Sequence, residues 1–130
     1  MIVLDASAVV DLLLGIEPAA SRIAERVVRE HTWTAPHLID VEVAQVLRRF
    51  VRAGKLEASR AEDGLLDLSE MPLRRYPHTP LLPRVFELRA RVTAYDATYL
   101  TLAEELDAPL VTRDKALASV SGCRAAVEVL

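Results

Sequence analysis

Five short extended segments, set apart by helix-period stretches, restrict this chain more than anything else in it. They are "IVL" (2–4), "TWTAP" (32–36), "PLRRYP" (72–77), "PLVT" (109–112) and "AVEVL" (126–130). Short apolar runs of this kind suit strands covered on both faces, and the helical stretches between them suit crossovers joining parallel neighbours. The pattern predicts an α/β layer sandwich, a largely parallel sheet with helices on both sides. Right-handed crossovers then gather the strand-to-helix junctions along one edge, which is where open parallel sheets bind ligands.

The helices are expected between recognisable stops. Ser7 reads as the cap of a helix that ends at Gly15, and Pro18 opens a second with apolar residues at 19, 20, 23, 24, 27 and 28. Pro36 is expected to begin a third, closed by Gly54, and residues 56–71 to form a weaker fourth. Thr79 and Pro80 read as cap and first position of a helix through "LLPRVFELRARV". Asp96 reads as the cap of "ATYLTLAEEL", and "RDKALASV" as a short helix ending near Gly122. Trp33 is expected in the core. No repeat or long linker divides residues 1–130, so one domain is expected.

Composition narrows the class. With 52% hydrophobic and 27% charged residues, the chain has the make-up of a soluble globular protein. No apolar run reaches the ~18 residues of a membrane span, and the start lacks the pattern of a secretory signal. One cysteine, Cys123, permits no internal disulfide and points to the reducing cytoplasm. A net charge of −3 argues against a protein that coats nucleic acid. Acids gathered around metal ions would, however, leave the remaining surface more positive than that sum.

Four acids fall where the binding edge is expected. Asp5 ends the first strand, Asp114 follows "LVT", and Asp96 opens its helix. Taking about 100° per residue, Glu42 lies between Leu38 and Val46 on the shoulder of an apolar face, nearly in line with Arg49. Asp40 points elsewhere, toward the apolar side. Asp96 as a cap, Asp114 at a helix dipole and Glu42 as a surface acid all have purely structural readings. Asp5 resists one, because a charge beside a buried strand needs a partner.

Carboxylates held together repel, and a hard divalent cation relieves the repulsion. Mg²⁺ or Mn²⁺ takes oxygen ligands, activates water and steadies charge on a phosphate. Ser7 and Thr112, each two residues from an acid, are placed to orient ligands or waters. Other chemistries lack their residues. His31, His37 and His78 have no metal-ligand spacing, and neither a nucleophile elbow nor a phosphate-binding glycine loop is present.

"MIVLDASAVV", "APHLIDVEVAQVLRR", "YDATYLTLAEEL" and "LVTRDKAL" resemble the four signature blocks of PIN-domain ribonucleases, and more narrowly those of the VapC toxins of bacterial toxin–antitoxin pairs. The resemblance runs through the whole chain and is weakest across 55–80. It implies a three-layer α/β/α domain with a five-stranded, mainly parallel sheet. It also implies Mg²⁺- or Mn²⁺-dependent hydrolysis of RNA, with transfer or ribosomal RNA as the substrate class. Carried over by position, the metal-binding and catalytic acids are Asp5, Glu42, Asp96 and Asp114, and the small hydroxyl residue is Ser7, with Thr112 near. A homodimer and a small VapB-type antitoxin are implied as partners. Arg49 and Arg113 are the cations expected to reach the RNA. A PIN-like RNA-processing nuclease without an antitoxin, and a silent binding module whose acids hold a structural ion, stand as alternatives.

Overall fold

The computed structural model describes residues 1–130. Its centre is β1 (Ile2–Leu4), whose three side chains are fully covered. Burying each contributes about 1.5–3 kcal/mol. β2 (Trp33–Pro36) lies on one side of β1 and β4 (Leu110–Thr112) on the other, so that Val3 pairs with both Thr34 and Leu110. β3 (Leu73–Tyr76) and β5 (Val127–Val129) complete a parallel sheet in the order β3-β2-β1-β4-β5. The chain works outward from β1 to β3, then crosses back to β4 and β5. That reversal falls between β1 and β4 and opens a crevice beyond their carboxyl ends.

Helices cover the sheet to give the expected three layers. α1 (Ala6–Leu14), α2 (Ala19–Val27), α3 (Leu38–Arg52) and α4 (Ala58–Glu70) pack among themselves, and α5 (Leu82–Glu87) packs on α6 (Ala94–Leu106). α6 is buried on every side from Ala97 to Ala103, against β1, β2 and β4. A helix apolar all round belongs inside. Only its first turn, carrying Tyr95 and Asp96, reaches the surface of the crevice.

Several helix starts differ from expectation. Asp5, not Ser7, caps α1: its Oδ1 accepts the Ala8 N–H at 3.0 Å. Thr93, not Asp96, caps α6, its hydroxyl accepting the Asp96 N–H at 3.2 Å. Asp96 is thereby freed from capping and sits inside the first turn. Pro36 stays in β2, and α3 begins at Leu38. The helix expected after Pro80 breaks into a 3₁₀ turn (Thr79–Leu81) and the short α5, because Pro80 and Pro83 withhold N–H donors in succession. "KALAS" (Lys115–Ser119) is 3₁₀ as well, capped by Asp114. Gly15 ends α1 as expected, at φ 65°, a left-handed turn that suits glycine.

Arginine forks tie the layers together. Arg75 clasps Asp40 at 2.7 and 2.8 Å, linking β3 to α3, so this pair is structural and the Asp40 carboxylate is turned to β3. Arg84 clasps Glu104 at 2.9 and 3.0 Å, linking α5 to α6.

Candidate active site

A pocket of about 390 Å³ opens at the crevice, and Asp5, Glu42, Asp96 and Asp114 all line it. Four elements deliver them: the end of β1, α3, the first turn of α6, and the turn after β4. Asp11, Arg49 and Arg113 share the walls. The four acids expected from the sequence are therefore brought to one place. No three of them close tightly enough to hold an ion as they stand.

Asp5 is the most buried of the four, at 7% exposure. Its Oδ1 accepts the Ser7 hydroxyl at 2.7 Å as well as the Ala8 amide, and its Oδ2 accepts the Thr112 hydroxyl. Both hydroxyls are themselves held from behind. Ser7 Oγ accepts the Arg113 N–H at 3.0 Å, and Thr112 Oγ1 accepts the Asp114 N–H at 2.9 Å. Each hydroxyl oxygen is thus occupied as an acceptor, and its proton is aimed at Asp5. A carboxylate offers about four lone-pair sites. Three are filled, which leaves one on Oδ2.

Burial sets the charge balance. Desolvation raises the Asp5 carboxyl above its ordinary 3.8, against the pull of its three hydrogen bonds, and the Asp114 charge adds to the rise. Asp96 is raised by burial and by the charges of Asp114 and Asp5. Glu42 is pushed up to about 7, first by burial, then by Asp96 and Asp5. Its Oε1 is buried with no hydrogen-bond partner, and the Tyr99 hydroxyl beside it is equally unpartnered, the two stopping short of hydrogen-bond geometry. A buried polar atom left unpaired costs roughly 1–3 kcal/mol. The site carries unrelieved electrostatic strain.

That strain has a measurable sign. Between about pH 4.5 and 7 the folded chain keeps a proton on Glu42 that the unfolded chain has lost. Stability of the metal-free protein therefore falls as pH rises through that window, and Asp5 and Asp96 act in the same direction. Thermal melts in chelator should show a declining Tm there, flattened in Glu42→Gln. A Tm that climbs across the window would contradict the assignment.

The two arginines expected at the substrate differ. Arg49 is exposed and has no carboxylate partner. Arg113 is held by Asp11 at 2.8 Å and by the Leu130 carbonyl at 2.6 Å, so its guanidinium is engaged within the fold. Asp11 and Tyr99 line the pocket, and Tyr95 the adjoining cleft, without having been expected there. Tyr95 and Tyr99 stand in the "YDATY" block, one residue before Asp96 and three after it, and that proximity was the available signal.

Comparison with known proteins identifies the family. The PIN domain family matches residues 2–122. Ribonuclease VapC1 of Mycobacterium tuberculosis is 41% identical over 121 residues, covering 92% of this chain and 90% of the relative. Ribonuclease VapC9 of the same species is 38% identical over 130 residues, covering 100% and 98%. Among solved structures, PAE2754 from Pyrobaculum aerophilum superposes with a TM-score of 0.70 at 25% identity, covering 98% of this chain and 82% of that one. A toxin–antitoxin complex from Klebsiella pneumoniae gives 0.71 at 16% identity, over 99% and 97%, a likeness of fold. The chain belongs to the PIN-domain family and, within it, to the VapC ribonucleases.

Proposed function

We propose that this protein is a divalent-cation-dependent endoribonuclease, the toxin of a VapBC-type pair. The observation that carries the reading is Asp5: a nearly buried carboxylate at the sheet's reversal point, braced by two hydroxyls and sharing its pocket with Glu42, Asp96 and Asp114. Relatives named ribonucleases support RNA as substrate, and neighbours solved as toxin–antitoxin complexes support a VapB-type antitoxin as partner. The same family resemblance is the basis for proposing a homodimer and a cytoplasmic site of action.

The donor set suits Mg²⁺ or Mn²⁺. All candidate ligands are oxygens, Glu42 Oε1 lacks any internal partner, and the crowded carboxylates call for countercharge. Asp5 and Asp96 would be the principal ligands, with Asp114 and Glu42 completing the set. Such an ion, when bound, lowers the pKa of water and offsets charge developing on the phosphate. The Ser7 and Thr112 hydroxyls favour the ionised form of Asp5 against its burial and fix its orientation. With the ion held, a carboxylate of this set would take the proton that leaves water as its oxygen attacks phosphorus, the P–O bond to the departing nucleotide oxygen breaking in the same displacement and that oxygen taking a proton from solvent. Arg49 offsets phosphate charge at the pocket wall.

Cleavage of transfer or ribosomal RNA in Mg²⁺ or Mn²⁺ should stop in chelator and return when either ion is restored. Chelator-resistant cleavage would remove the cation from the mechanism, and absence of cleavage under all conditions would remove the nuclease.

A further inference from the structure

One arginine beside the acids is kept away from them. Arg113 directly precedes Asp114 and lines the pocket that Asp5, Glu42, Asp96 and Asp114 share. None of those four pairs with it. Its Nε meets Asp11 Oδ2 at 2.8 Å instead, and its Nη1 donates to the Leu130 carbonyl at 2.6 Å. Asp11 belongs to α1, one turn after Ser7, so the two side chains leave the same face of that helix. Ser7 Oγ accepts the Arg113 N–H at 3.0 Å while Asp11 takes the guanidinium. α1 thus grips Arg113 twice, by its backbone and by its side chain.

The fold has little need of the second grip. α1 and the turn after β4 are already joined through Asp5, Ser7 and Thr112. An ion pair whose arginine side chain is 39% exposed adds little to stability. Asp11 itself is only 15% exposed and lines the acid pocket. Another carboxylate in that pocket adds to the repulsion there unless a cation answers it. Its position makes sense through what it holds.

A released Arg113 guanidinium would be drawn to the neighbouring acids, whose mutual repulsion it would relieve. Its planar fork of five donors grips carboxylates two bonds at a time, and it does not lose its proton. It would then occupy the oxygens that a divalent cation needs. Arg49 is not so placed, standing two turns along α3 from Glu42.

We infer that Asp11 is a positioning residue that tethers Arg113 clear of the acids, so that the chain does not fill its own cation site. This rests on the cation-dependent reading above and adds the residue that keeps the site open. Asp11 acts here through Arg113, without touching cation or RNA.

The test is a double-mutant cycle on Mn²⁺ uptake by the full chain, read by calorimetry. Asp11→Asn keeps the shape of the side chain and removes the charge that holds Arg113. It should weaken Mn²⁺ binding at least about tenfold, within the range of coupling between residues in contact. In an Arg113→Gln background the same substitution should weaken binding by less than about threefold, because no guanidinium remains to enter. Side-chain NMR contacts of Arg113 in the metal-free chain give a second reading. In Asp11→Asn they should move from α1 to Asp96 or Asp114, with melts confirming an intact fold. Equal losses in both backgrounds would make Asp11 one more charge acting directly on the cation, and would overturn the tether. So would an Asp11→Asn chain that takes up Mn²⁺ as tightly as the unaltered one. If the unaltered chain took up no Mn²⁺, the cation reading would fall, and the Arg113 contacts would still decide the tether.

Discussion

Asp5→Asn is expected to lower RNA cleavage by at least about a hundredfold while moving stability by no more than about 1 kcal/mol. The substitution keeps the shape and the Oδ1 that caps α1 through the Ala8 amide. It removes the charge, and it sets an NH₂ against a hydroxyl. The Thr112 hydroxyl, which now donates to Oδ2, must turn its proton away and accept from the new NH₂ on its second lone pair, beside the Asp114 amide it already accepts. Losing one hydrogen bond is offset by removing a desolvated charge beside Asp114. Asp5→Ala would be a poorer test, because it also removes the cap, worth about 1 kcal/mol, and takes the acceptor from the buried Thr112 hydroxyl's proton. Initial rates on transfer RNA, with circular dichroism melts, separate the two effects. Asparagine retaining more than about a tenth of the rate would exclude Asp5 from the chemistry.

Arg84→Met is expected to cost roughly 3 kcal/mol and to lower Tm by roughly 10 °C. Its partner Glu104 has a side chain only 3% exposed, accepting two bonds from Arg84 and a third from the Arg124 amide at 2.7 Å. Arg84 also reaches the Gly122 carbonyl at 2.6 Å, so one guanidinium joins α5, α6 and the approach to β5. Without it, the Glu104 carboxylate keeps only the Arg124 amide and the looser Arg124 guanidinium at 3.7 Å. The pH dependence reverses with the substitution. In the native chain the Arg84 fork holds Glu104 at about 2, below its ordinary 4.5, so this stabilisation is complete above 4.5 and is lost as pH falls toward 2. In Arg84→Met, acid instead relieves the defect by protonating Glu104. Adding Glu104→Leu should restore most of the lost stability. Urea titrations across that range would show it; a substitution costing under about 1 kcal/mol would mean that the fork is screened by water.

How far the molecule is legible in its residues depends on the range of the interactions. β1 is legible because three buried apolar residues stop abruptly at Asp5, and the other strands because each is short and bounded by turn residues. Their parallel order places Asp5 and Asp114 at one edge, and helical phase turns Glu42 toward it. The misplaced caps come from weighing one residue type over another. Thr93 stands three residues before Asp96, an ordinary capping spacing, yet the acid looks the more capable cap. Pairings between distant residues leave no trace. Nothing local shows that Arg75 belongs to Asp40 or that Arg113, expected at the RNA, is taken by Asp11. Tyr95 is of the same kind: its ring is exposed only because α6 emerges there from the core.

The hydroxyl brace on Asp5 also orders events in time. Thr112 lies 107 residues after its carboxylate, and β4 is the second neighbour that β1 requires. A chain emerging from the ribosome carries the floor of the pocket almost from its first residues but gains the group that fixes it only after β4 has docked. Long-range closure of this sort comes late in folding. Fragments lacking β4 would leave the Asp5 carboxylate without the Thr112 hydroxyl that fixes it, and the pocket is completed in a single step when β4 docks.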